Sequence, residues 1–215
     1  EGAKAPDQPY GEKSGIVVYK PMEMNGIKAV QTLYFDDYGK KEMRETVVTG
    51  SMQGAETKQH SIDIRDGNIA YHFELENKIG DMDRATKDVY KQVIPAEMME
   101  QMNVANLSEK LRKSYNFKEE GTEKVAGIKG IKYSIQPEGS QMDGPITGVH
   151  YKNIPLKITL GNMIIEAEKV DFGAKIAPEK FKIPAGYNVI DADNMQEMQQ
   201  APADTSAEVQ EPIKK

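Results

Sequence analysis

Cysteine and tryptophan are both absent from the 215 residues. Without a thiol there is no disulfide framework, no thiolate zinc site, no iron–sulfur ligation and no thiol nucleophile. The same absence leaves the redox compartment open. An excess of positive charge is also missing: 28 Lys and Arg stand against 34 Asp and Glu, a formal net charge of −6. No basic face is therefore available to displace phosphate counterions, so no nucleic-acid partner is expected, and anionic membrane surfaces exert little pull. No apolar run approaches the roughly 20 residues of a membrane-spanning helix, so no transmembrane segment is expected. No charged-then-apolar leader follows Glu1, which suggests a chain whose signal segment has been removed. Apolar residues make up 38%, against about 45–50% in an average domain. The core is lean but sufficient.

Motifs for chemistry are scarce as well. His60, His72 and His150 lie far apart, and none stands in a metal-ligand spacing. No Gly-x-Ser-x-Gly elbow, phosphate loop or dinucleotide fingerprint occurs. Asp81, Asp83 and Asp88 begin like a calcium loop, but Thr86 takes the place of the glycine that the sharp turn needs. No metal, no cofactor and no enzymatic activity are expected. A hydrolase site assembled from distant acids is the weakest of the readings, because no acid stands where sequence suggests a raised pKa.

What the chain does have is alternation. Residues 1–13 carry two prolines and two glycines and read as a flexible leader. Residues 191–215 hold almost no core-forming side chains and read as a polar tail, with a short helix conceivable near 194–200. Between them, 14–190 reads as one domain. Ile16–Tyr19 is a short apolar run, and Ile27, Ala29, Leu33 and Phe35 recur with period two. A turn at Asp36-Asp37-Tyr38-Gly39 leads to a returning arm at Met43–Thr49. Residues 58–65, a turn at Asp66-Gly67-Asn68, and alternating Ile69, Tyr71, Phe73 and Leu75 form a second hairpin. Further strands are expected over 131–135, 146–151, 156–160 and 163–172. This predicts eight to ten strands in antiparallel order around a helical insert within 83–116, an α+β class.

In that insert Pro95 can open a helix, Asn106 and Glu109 resemble a capping box, and Leu107, Leu111 and Tyr115 form a stripe. The chain holds 12 methionines, and Met98, Met99 and Met102 fall within one helical turn and a little more. Methionine is unbranched and polarizable, and suits a surface that accepts apolar ligands of varied shape, although the same stripe also serves as ordinary core.

Three short motifs together resemble one family. Pro178-Glu179-Lys180-Phe181-Lys182-Ile183-Pro184-Ala185-Gly186-Tyr187 is similar to the ending of the LolA-like outer-membrane lipoprotein carriers and their uncharacterised periplasmic relatives. Gly121-Thr122-Glu123-Lys124-Val125-Ala126-Gly127 leading to Ile131-Lys132-Tyr133 resembles a turn and strand of the same proteins, and Tyr34–Gly39 resembles their first hairpin. The resemblance implies a curved antiparallel sheet, an open half-barrel, covered by short helices, with an apolar cavity for acyl chains. It implies a cell-envelope location, periplasmic or membrane-anchored, and as partner a lipid or the acyl chain of a lipoprotein. The cavity wall expected on this basis comprises Leu33, Phe35, Tyr71 and Phe73 from the sheet with Met98, Met102 and Leu111 from the helices. The family's carrier holds its cover with an arginine of the sheet, and this chain has four: Arg44, Arg65, Arg84 and Arg112. The alternative is a structural or interaction module that binds another envelope protein and has no ligand cavity, its methionines being core.

Overall fold

Period-two alternation is realised as strands from one end of the domain to the other. A computed structural model describes residues 8–52, 54–102, 107–136 and 144–192. In chain order these form β1 (Gly15–Tyr19), β2 (Met22–Met24), β3 (Ile27–Asp36), β4 (Lys41–Met52), β5 (Ala55–Asp66), β6 (Ile69–Ile79), β7 (Met82–Asp83) and β8 (Asp88–Val93). Helices α1 (Ala96–Met102) and α2 (Glu109–Ser114) follow. Then come β9 (Lys118–Val125), β10 (Ile128–Ile135), β11 (Ile146–Tyr151), β12 (Ile154–Leu160), β13 (Met163–Phe172) and β14 (Asn188–Asp191).

All of these strands join one sheet in the order β14-β8-β6-β5-β4-β3-β1-β13-β12-β11-β10-β9, with β2 beside β3 and β7 beside β6. Neighbours are antiparallel except β14 and β8, which run parallel. The sheet is curved and does not close, so the architecture is the open half-barrel with short helices. Fourteen strands exceed the eight to ten that the alternation announces. The additional ones are short or polar. β8 stands inside the stretch expected to be helical, and its single wholly buried side chain is Val89. β9 reads KEEGTEKV, with only Val125 buried, and owes its extended form to pairing with β10. The cap of α2 is Ser108, whose Oγ accepts from the Leu111 N–H; Asn106 and the possible helix near 194–200 lie outside the described residues.

Because successive side chains in a strand point to opposite faces, the register divides the buried apolar residues of β1 and β3 to β6 between two cores. Leu33 stands opposite Val17, and Phe35 opposite Gly15. Together with Tyr19, Val149, Ile154 and Leu156 they form the first core. Tyr34, on the reverse face, stands opposite Met43, Met43 opposite Ile64, and Ile62 opposite Phe73. Met43, Ile62, Ile64, Phe73 and Val89 make the second core.

Each core has its own cover from a distant part of the chain. Residues 8–13, within the segment read as a leader, run along the first. The Tyr10 N–H donates to the Tyr38 carbonyl, and its ring meets Phe35 edge-on at 5.0 Å. Over the second core lies the C-terminal segment, where Phe181, Ile183 and Tyr187 of the family-like ending pack. The Tyr187 ring meets Phe73 at 5.3 Å, and Lys180 stands 4.5 Å above the Tyr34 ring. Glu45 anchors this segment from below. It lies 3.7 Å from Lys180 Nζ, 2.8 Å from His60 Nε2, and accepts from the Tyr34 hydroxyl at 3.4 Å.

Candidate binding cavity

Between the first core and helix α1 the curved sheet leaves a cavity of about 260 Å³. Its floor comes from β4 and β5, where Glu42 and Arg44 sit two residues apart and so share a face, with Arg65 opposite Glu42. The same register sets Glu42 opposite Phe35 and Arg44 opposite Leu33, so the floor continues the first core sideways as charged groups. Tyr10 and Pro9 close one side. Tyr133, His150, Pro155 and Ile158 from β10, β11 and β12 form the far wall. Met99 and Met102 of α1 form the roof.

Helix α1 sits loosely on this opening. None of its residues is buried, Met98 is 48% exposed and Met102 59%. Seven residues are far too few for a helix to hold itself together in water, so α1 depends on the surfaces it touches. Its far end is tied by Glu100, which accepts from the Ser108 N–H at 2.8 Å; the Ser108 hydroxyl first, and this N–H second, hold the Glu100 carboxyl below its ordinary pKa. Leu107 beyond it is buried, and Leu111 is half-buried in α2.

The floor carries two arginines with different surroundings. Arg65 is saturated: Nη2 donates to the Gly39 carbonyl at 2.9 Å and pairs with Glu42, and Nη1 reaches the Gly67 carbonyl at 3.3 Å. Among the described residues Arg44 has one acceptor, Gln31 Oε1, at 3.4 Å. Burial acts to lower the Arg44 pKa, and the oxygens of Tyr19, Glu42, Tyr10 and Asp63 more than offset it, so the guanidinium stays charged. Burial pushes the Tyr10 hydroxyl well up and the Tyr19 hydroxyl to about 12. Both tyrosines are neutral at ordinary pH, and the Tyr19 hydroxyl donates a hydrogen bond to the Pro155 carbonyl at 2.9 Å.

In the far wall His150 is buried, its ring centroid 5.8 Å from that of Tyr133, and Nδ1 accepts from the Asn153 N–H at 3.4 Å. Gly148 makes room for Tyr133, since a Cβ there would stand 2.3 Å from the phenolic oxygen. Burial lowers the His150 pKa, Glu119 opposes and Arg112 adds to the drop. An unfolded histidine titrates near ~6.5. The stability that rests on neutral His150 is therefore complete above that value and is lost as pH falls through the lower folded pKa. His72, whose hydrogen bond to Asp63 raises its pKa, works in the opposite direction but is half exposed. Urea unfolding at pH 7.5 and 5.5 should show the native chain losing stability on acidification relative to His150→Gln. Parallel losses in the two proteins would contradict this assignment.

The residues expected to wall one cavity are divided by strand parity. Leu33 and Phe35 are wholly buried in the first core, on the same face as the cavity floor. Tyr71 and Phe73 stand on the other face, in the second core beneath Tyr187. Met98 is exposed, Leu111 belongs to α2, and Met102 alone of the seven is among the lining residues. Residues that do line it, Tyr10, Glu42, Arg44, Tyr133 and His150, come from four separate stretches of chain. The one local signal for them is the pattern Glu42-x-Arg44 on a strand arm, which sets two charges on a single face. Among the described residues no group of three or more His, Asp or Glu is placed to hold a metal, and no helix is long and apolar enough to cross a membrane.

No protein-family model matches the chain, and no curated protein matches it. Among solved structures it is similar to MucB in the MucA/MucB complex of Pseudomonas aeruginosa, with a TM-score of 0.45 and 15% identity over 86% of this chain and 60% of that one. A second structure, of MucB in complex with MucA(peri), gives a TM-score of 0.44 and 15% identity over 86% of this chain and 57% of that one. MucB by itself gives 0.42 and 15%, over 86% of this chain and 62% of the other. The chain thus spans about three fifths of the length of these structures.

Proposed function

We propose that the chain is a non-enzymatic cell-envelope protein whose domain, 14–190, receives the apolar chain of a lipid or acylated ligand between the curved sheet and α1. The observation that carries this reading is the roof: a helix that buries none of its residues spans a cavity and turns Met99 and Met102 toward it. A core helix would have buried its apolar stripe. At about 260 Å³ the cavity falls just under the roughly 300–1,000 Å³ of small-molecule sites. A long chain therefore enters only if α1 lifts, and few buried contacts oppose that motion.

Met99→Lys with Met102→Lys should reduce uptake of the fluorescent probe N-phenyl-1-naphthylamine by about tenfold or more, since two charged ammonium groups would face the apolar chain. The melting temperature should change little, because neither side chain is buried. Equal uptake by native and double-variant proteins would sink the cavity assignment.

A second reading, a protein-interaction module of the envelope, is favoured by a different observation. The hairpin tips at one end of the sheet expose Met24 at 74%, Met82 at 55% and Ile164 at 52%. Scattered exposed apolar residues are ordinary, but these three stand at the ends of separate hairpins, β2–β3, β6–β7 and β12–β13. On this reading the chain takes up no probe, and changes at the tips rather than at α1 weaken its association with a partner.

A further inference from the structure

Arg44 is a half-buried cation of the cavity floor that uses few of its donors on the protein. A guanidinium has five N–H groups, and none of the Arg44 nitrogens is both sealed from solvent and without a partner, so its spare donors are open to the cavity. Here the described protein supplies one acceptor, the neutral Gln31 amide at a long 3.4 Å. The two carboxylates closest along the sheet are already engaged by other groups. Glu42, two residues away on the same face, is bound to Arg65. Asp63, directly opposite Arg44 across β4 and β5, is bound to His72 at 2.7 Å. With Tyr19 their charges keep Arg44 ionised, while one oxygen of each, Glu42 Oε1 and Asp63 Oδ1, is bound to Arg65 and His72. Arg65, the other arginine of the floor, has three acceptors and needs nothing further. No bond from Arg44 to α1 holds the cover closed, and the guanidinium is among the groups that line the cavity.

A planar fork of donors with free positions matches a carboxylate or a phosphate, which accept two parallel N–H bonds at once. The roof and part of the far wall are unsuited to a small hydrophilic anion. Met99, Met102, Pro155 and Ile158 enclose the cavity there with apolar surface. A group that satisfies both parts is an amphiphile, with its chain against the methionine roof and its anionic head on the floor.

We propose that Arg44 is the head-group receptor of this cavity, and that the ligand is an anionic amphiphile bearing a carboxylate or phosphate rather than a neutral lipid. This rests on the binding reading above and names its ligand class. Glu42 and Asp63 give the site its selectivity. By holding Arg65 and His72 they leave Arg44 as the single unsatisfied cation of the floor, so one anionic group is accommodated there.

The test uses three probes that share a twelve-carbon chain: laurate, dodecyl phosphate and dodecanol. Their affinities for the native full chain are measured by titration calorimetry below their micellar concentrations. At least one anionic probe should bind about tenfold or more tightly than dodecanol, as expected for a charge-assisted bidentate contact. Whichever of laurate and dodecyl phosphate binds better identifies the head group. Arg44→Gln should remove the preference, bringing the anionic probes to within about twofold of dodecanol in the same variant, and Arg44→Lys should retain part of it. Equal binding of all three probes to the native protein would overturn the head-group proposal and leave the cavity reading standing. No binding of any probe would overturn both. The native comparison needs no variant, so a failure of Arg44→Gln to fold would not rescue the proposal.

Discussion

Phe73→Asp is expected to abolish folding, and with it any binding, rather than to block a ligand. The Phe73 ring is 2% exposed, lies opposite Ile62 across the strand pair, and is covered edge-on by Tyr187. A carboxylate there would have no cation and no water. Its burial, added to the loss of an aromatic side chain, costs on the order of 5 kcal/mol or more, as much as the whole stability of many domains. Circular dichroism and urea titration should show no cooperative transition for this variant. Phe73→Leu, which keeps the site apolar, should unfold cooperatively with a lower midpoint. A Phe73→Asp protein with a native-like midpoint would show that the C-terminal segment does not seal this face.

Gly39→Ala should be among the most damaging single-methyl changes at the described residues. Gly39 has φ +81°, a conformation that L side chains rarely adopt, and a Cβ there would stand 2.4 Å from the Tyr10 ring. The backbone term costs about 1–2 kcal/mol. The ring would also have to leave its place against Phe35, and the two together make a loss of about 3 kcal/mol a reasonable expectation. In a domain of this size that lowers the melting temperature by roughly 6–12 °C. Tyr10 also lines the cavity, so probe binding should weaken in the same variant. Tyr10→Ala combined with Gly39→Ala should then be less destabilised than the two single losses added together. Strict additivity would mean that the ring and the glycine do not meet.

Both residues illustrate how far the sequence can be read. Gly39 is visible as part of a turn, Asp36-Asp37-Tyr38-Gly39, and the structure does place a turn there. That Tyr10 rests on it cannot be seen, because the Pro- and Gly-rich residues before Gly15 show no periodicity. Phe73 is visible as one of four alternating apolar residues in β6. Alternation shows that Phe73 and His72 face opposite ways, and leaves open which face meets Leu33. Only the chain of pairings from β3 through β4 and β5 to β6 answers that, and it sets Phe73 with Tyr34, opposite to Leu33 and Phe35.

The cavity was less legible than the strands for the same reason. Its roof comes from the methionine cluster behind a helix-opening proline, where the sequence points to Met98 and Met102 and the structure turns Met99 and Met102 to the cavity. Its floor could not. Glu42 and Arg44 look like ordinary outward charges on a strand arm until the register sets them beside Phe35 and Leu33 and beneath α1. The family-like ending was readable as a motif, but its task, to cover the second core with Phe181, Ile183 and Tyr187, belongs to packing.

By itself the sequence determined the local elements: the hairpins within 27–75, the strands within 131–172, and a short helical insert rich in methionine. These follow from side-chain period and turn chemistry, which act over a few neighbours. The tertiary structure alone decided which alternate residues became core, which face each cover took, and that a charged floor lies under an apolar roof. Those outcomes depend on register between strands that the chain does not place next to one another, as where β1 pairs with β13. A shift of one residue there would exchange every inward and outward side chain.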